Sequence, residues 1–84
     1  VIVRMWEATA HPEAHQDLLT WVCDIGVPEL EQKLSYIDSQ VYTSTEHRVV
    51  VVSQWRSQPA DPSSPPSFYL RHKPQSWDFS PVDR

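Results

Sequence analysis

His47-Arg48-Val49-Val50-Val51-Val52-Ser53-Gln54-Trp55 is the stretch whose reading decides the fold. Side chains alternate between the two faces of a strand, so four consecutive valines send apolar groups to both faces at once. The stretch therefore predicts a central strand over 47–55 that needs cover on each side. Helices of a small α+β domain cover only one face of its sheet, and the simplest source of the second cover is a symmetric copy of the same chain.

Working outward, Thr45 and Glu46 predict a turn, and Tyr36 to Ser44, with Tyr36, Ile37, Val41 and Tyr42 among small polar residues, predicts the strand before it. Val1 to Ala10 predicts another two-sided strand, with Val1, Val3 and Met5 on one face and Ile2, Trp6 and Ala8 on the other. Arg4 is its one charged exception below Glu7. It belongs at the sheet's rim or in a polar pocket, where Glu7, Asp38 or Asp78 could pair with it.

His11 and Pro12 open a helix, because proline suits the first helical position, and Glu13 and Asp17 place negative charge in its first turns. Leu18, Trp21, Val22 and Ile25 form the stripe expected to pack on the sheet, with Cys23 as a small core residue beside them. Gly26-Val27-Pro28 is expected to interrupt this helix, with an offset second segment beginning at Pro28 and carrying Leu30 and Leu34.

The composition then changes. Residues 57–67 form a Pro/Ser-rich loop, with Pro59, Pro62, Pro65 and Pro66, that excludes a regular helix or central strand and reads as a stiff surface connector. A short helix over Ser67 to Lys73 follows, ended by Pro74, and Ser76 to Val82 predicts a last, edge strand. The order strand, helix, strand, strand, short helix, strand is the ferredoxin-like βαββαβ plan of one α+β domain spanning residues 1–84, with helices on one face of an antiparallel sheet.

The 84 residues carry a net charge of −4, which provides no basic patch for nucleic acid. The valine run is far shorter than a membrane span, no signal-peptide layout is present, and the single cysteine allows no internal disulfide, so a cytoplasmic location is expected. Four Trp, three Tyr and two Phe are a heavy aromatic load for so small a core and point to an interface or a pocket.

The opening Val1-Ile2-Val3-Arg4-Met5-Trp6, the broken helix at Ile25-Gly26-Val27-Pro28-Glu29-Leu30 and the strand end Ser53-Gln54-Trp55-Arg56-Ser57 resemble segments of the dimeric α/β-barrel superfamily of antibiotic biosynthesis monooxygenase-like proteins. The resemblance implies a homodimer in which two ferredoxin-like sheets form a barrel, with a small pocket in each subunit between sheet and helices. Some members oxidise aromatic or quinol-like compounds without a metal or bound cofactor, and others degrade haem. The haem-degrading members carry an Asn on the first strand, and a Trp and a His on the second helix. This chain contains no Asn, and His72 is its one comparable His. The resemblance therefore implies no cofactor.

Two functions follow as expectations: a cofactor-independent monooxygenase-like protein acting on a small aromatic or phenolic molecule, or a non-catalytic dimeric binding or accessory protein of the same fold. Tyr69 and His72, three apart on the short helix, would aim a phenol and a general base at one spot. Arg4 could steady an oxyanion. Trp6, Trp55 and Trp77 would build an aromatic wall for substrate, or else serve as core and dimer contact. His11 and His15 share the spacing of two metal ligands, but with no third ligand nearby they read as solvent-exposed, and no metal is expected.

Overall fold

A computed structural model describes all residues, Val1–Arg84. Four strands, β1 (Ile2–Ala10), β2 (Tyr36–Thr43), β3 (Arg48–Trp55) and β4 (Leu70–Phe79), form one antiparallel sheet in the order β2-β3-β1-β4. A single helical stretch between β1 and β2 packs on one face. The architecture is α+β and ferredoxin-like, with the second helix reduced to one 3-10 turn, Ser67–Tyr69.

The valine run divides as strand geometry requires. Val49 and Val51 face the helix and are fully buried, together with Ser53 and Trp55, while Val50 and Val52 lie half-buried on the opposite face. Ser53 sits in the core because Trp55 demands it: the indole Nε1 donates to Ser53 Oγ at 2.7 Å, and Ser53 Oγ donates in turn to the Arg4 carbonyl at 3.4 Å. A buried indole N–H without an acceptor would cost about 1–3 kcal/mol. Tyr36 closes the same corner, edge-on to the Trp55 ring with centroids 5.6 Å apart.

The helical stretch is continuous, which corrects the expected break at Gly26-Val27-Pro28. A 3-10 turn (Pro12–Ala14) leads into α1 (His15–Trp21), a π-helical turn (Val22–Gly26) and α2 (Val27–Glu31). Gly26 and Val27 both keep right-handed helical angles. Pro28 offers no N–H and its ring crowds the carbonyl four residues earlier, and the wider i→i+5 turn accommodates both without ending the helix. The same turn resets the packing phase. Ala14, Leu18, Val22, Gly26 and Leu30, every fourth residue, are buried, whereas a regular helix of 3.6 residues per turn would rotate such a row away from the sheet. Ile25 and Cys23 are consequently exposed, correcting their expected place in the core.

The chain after residue 66 departs most from expectation. The helix expected over Ser67 to Lys73 is only the 3-10 turn Ser67–Tyr69: from Leu70 onward the backbone pairs with β1, from Ala10↔Leu70 and Thr9↔His72 through Arg4↔Asp78 to Val3↔Phe79. Pro74 falls where the register shifts between His72 and Gln75, in a bulge of an edge strand, the place in a sheet where a missing donor is tolerated. The strand ends at Phe79, before Pro81.

Candidate functional site

Residues 57–67 lie where the second helix of a ferredoxin-like domain would lie. They are not the surface connector the composition suggested, since Pro62 and Pro65 are buried. Three anchors hold the segment. Glu29 of α2 accepts from the Ser63 N–H at 2.8 Å and from Ser63 Oγ at 2.9 Å. Asp61 accepts from Arg4 at 3.2 Å and from Ser76 Oγ at 3.3 Å. Pro62 packs where residue 26 has no side chain: a Cβ there would meet Pro62 at 3.3 Å and the Trp21 ring at 3.1 Å.

Between this strap and β4 runs a cleft of about 480 Å³, half-enclosed, on the helix-covered face of the sheet. Trp6 lies at its base, 4 % exposed, and Leu70, Pro62, Pro65 and Pro74 supply further apolar walls. Ser64, Ser67, Gln75 and Ser76 offer hydrogen-bonding groups, and Asp61 and Lys73 are its charged residues. Its size is that of a small-molecule site, with an apolar base and a largely polar rim.

Arg4 lies at one end, in a polar row across the sheet from Ser39 through Ser53 to Asp78. Its guanidinium binds Asp78 in a fork, Nε to Oδ1 at 2.7 Å and Nη2 to Oδ2 at 2.9 Å, while Nη1 reaches Asp61. The hydrogen bonds from Arg4 hold the Asp78 carboxyl below its ordinary range, and those to Asp78 raise the guanidinium still further. Of the three partners the sequence offered Arg4, Asp78 is the one it takes, and with two carboxylates bound it presents no free fork to an incoming anion.

The other sequence candidates do not converge. Trp6 and Trp55 face the helix, whereas Trp77, opposite Met5, lies on the other face, so the three build no common wall. Tyr69 packs against the core and lines a groove with Asp17, Trp21 and Ile25. His72 pairs with Thr9 and lines a separate shallow hollow with Glu7, Thr9, Lys73 and Gln75. A helix would have brought Tyr69 and His72 together, and the strand that replaces it parts them. His15 is not freely exposed: its Nε2 lies 2.9 Å from Thr43 Oγ1, its Nδ1 is buried without a partner, and its ring stands edge-on to His47 at 5.3 Å. No cluster of three or more His, Cys, Asp or Glu able to hold a metal ion is formed.

The resemblance implied a pocket between sheet and helices, with Trp6 among its residues; what sequence reasoning missed is that the proline strap walls it. The available signal was a proline-rich strap carrying Asp61 opposite a strand carrying Arg4.

The whole chain superposes on known structures. Rv0793 from Mycobacterium tuberculosis matches with a TM-score of 0.71 and 12 % identity over 99 % of this chain and 96 % of that one. An antibiotic biosynthesis monooxygenase matches with 0.71 and 10 % over 99 % and 100 %. The chain has the antibiotic biosynthesis monooxygenase fold. A third such structure, the monooxygenase ActVA-Orf6 of Streptomyces coelicolor in complex with nanaomycin D, matches with 0.71 and 15 % over 99 % and 88 %. No family model and no curated protein matches the sequence. The property shown to be shared is therefore backbone architecture.

Proposed function

We propose that this protein is a homodimer of the antibiotic biosynthesis monooxygenase fold that takes a small aromatic or phenolic molecule into the cleft beneath the proline strap and acts on it as a cofactor-independent monooxygenase-like protein. The observation that carries the reading is the cleft, with Trp6 at its base and proline rings in its walls, in a fold whose solved examples include a monooxygenase bound to nanaomycin D. Within such a cleft the protein's contribution is to exclude water and hold the ligand in position, so that an electron-rich, deprotonated form meets oxygen.

The dimer is supported by the uncovered face of the sheet. Val52, Met5 and Trp77 form a continuous row across β3, β1 and β4, flanked by Val50, Val3, Tyr42 and Phe79, and nothing in the chain covers them. A second copy presenting the same row satisfies both faces at once.

A second reading, a non-catalytic dimeric binding or accessory protein, is favoured by a specific observation: Tyr69, His72 and Arg4 do not meet in the cleft, and Arg4 is already engaged by Asp61 and Asp78. Both readings share the ligand and differ in oxygen consumption. Oxygen uptake with a panel of quinols and phenols, beside calorimetric binding of the same compounds, separates them. Uptake above the uncatalysed rate that falls at least tenfold when the cleft is blocked by Ser64→Trp supports the enzyme. Binding with only the uncatalysed rate establishes the accessory protein.

A further inference from the structure

We infer that the cleft selects ligands bearing an anionic group, a carboxylate or phenolate on a planar aromatic body, and that Lys73 is the residue that selects them. The inference rests on the cleft being the ligand site proposed above, and it specifies what that site prefers.

The cleft's two charged residues are Asp61 and Lys73, and their situations differ. Both Asp61 oxygens already accept hydrogen bonds from the protein, Oδ1 from Arg4 at 3.2 Å and Oδ2 from Ser76 at 3.3 Å. Lys73 takes part in no ion pair and no side-chain hydrogen bond. The other carboxylate near it, Glu7, shares the hollow on the far side of the bulge and is paired with Arg48 at 3.5 Å. Lys73 is thus the charged residue of the lining that has no partner, beside an Asp61 whose acceptors are filled and the neutral Ser64, Ser67, Gln75 and Ser76.

A neutral aromatic ligand would leave that ammonium unpaired, whereas an anionic one would give it a charge-assisted hydrogen bond. The chain's acidic balance, −4, repels anions from most of its surface, so discrimination arises locally at Lys73 and not from long-range attraction. The bulge around Pro74 makes this placement possible, because it breaks the strict alternation of β4 and lets Lys73 border both the cleft and the hollow opposite.

The test is calorimetric titration of the full chain with 2-naphthoate and with its neutral analogue 2-naphthalenemethanol, in wild type, Lys73→Gln, Lys73→Arg and Ser64→Trp, each checked for native Tm. The expected result is that wild type binds the acid about tenfold more tightly than the alcohol, the size of one hydrogen bond to a charged group. Lys73→Gln then erases the preference without weakening the alcohol, Lys73→Arg keeps most of it, and Ser64→Trp abolishes binding of both. Equal affinity for acid and alcohol in wild type overturns the inference and leaves the cleft standing as the ligand site. A preference that survives Lys73→Gln overturns the role of Lys73. Binding of neither compound, or binding indifferent to Ser64→Trp, overturns the cleft reading and the inference with it.

Discussion

The two faces of the sheet are built from adjacent residues and end in opposite states. On the covered face, Val49, Val51, Trp6 and Trp55 meet Leu18, Val22 and Leu30, and polar groups beside them are paired inside the chain, Ser53 with the Trp55 indole and Asp78 with Arg4. On the open face, Val50, Val52, Met5, Trp77 and Phe79 present comparable apolar surface with nothing over it. The first face is a finished core. The second carries an apolar row left open to solvent and bordered by polar residues such as Glu7, Gln40 and Gln54, the pattern of an interaction surface. A domain of this size buries only part of what its unfolded chain exposes, so completing the second face also adds stability the monomer lacks.

Neighbouring valines test this contrast directly. Val51→Asp places an unpaired carboxylate in the finished core at a cost of about 3–5 kcal/mol, as for an uncompensated buried charge, which is comparable to the whole stability of a small domain. Loss of the cooperative urea transition is expected, and a folded, native-like variant would mean that the covered face is not the core.

Val52→Asp, one residue on, is expected to leave the fold intact and convert a dimer to a monomer at micromolar concentration. Light scattering and far-UV circular dichroism report the two properties separately. A wild type that already has monomer mass would refute the proposed pairing of open faces.

The smallest effect is at the rim of the covered face. The Arg4 guanidinium holds Asp78 below its ordinary value of 3.8, so the stabilisation from this pair is complete above that value and is lost as pH falls through the depressed one. The Tm gap between wild type and Asp78→Asn is therefore expected to be small and constant from pH 5 to 8 and to vanish in strong acid. A gap that widened on acidification would reverse the assignment.

Much of this contrast was legible in the sequence, because alternation and the valine run are local signals. The strands 2–10, 36–43 and 48–55 lie within a residue or so of their expected bounds, and the need for two-sided cover follows from Val49 to Val52 alone. The π turn was not legible, since Leu18 and Val22 suit an ordinary helix and only the packing of Gly26 and Leu30 shows that the phase is reset. β4 was half hidden: Arg71, His72 and Lys73 before Pro74 read as the end of a helix, while their actual state is set by pairing with β1, some sixty residues away. That error carried into the site, because the geometry expected of Tyr69 and His72 depended on a helix that is not there. The strap's part in the cleft escaped notice for a related reason. Proline rings form its walls, and proline in a sequence announces irregular backbone before it announces an apolar surface.

The strap's mode of attachment bears on how such a protein can diverge. Residues 58–65 share no backbone hydrogen bond with the sheet and are tied down by side chains, Glu29 to Ser63 and Arg4 to Asp61. A segment fastened at a few points can be lengthened, shortened or resurfaced between them without disturbing strand register. Changes to the roof of the cleft are thereby uncoupled from changes to the sheet, so the one can be rebuilt while the other stays the same.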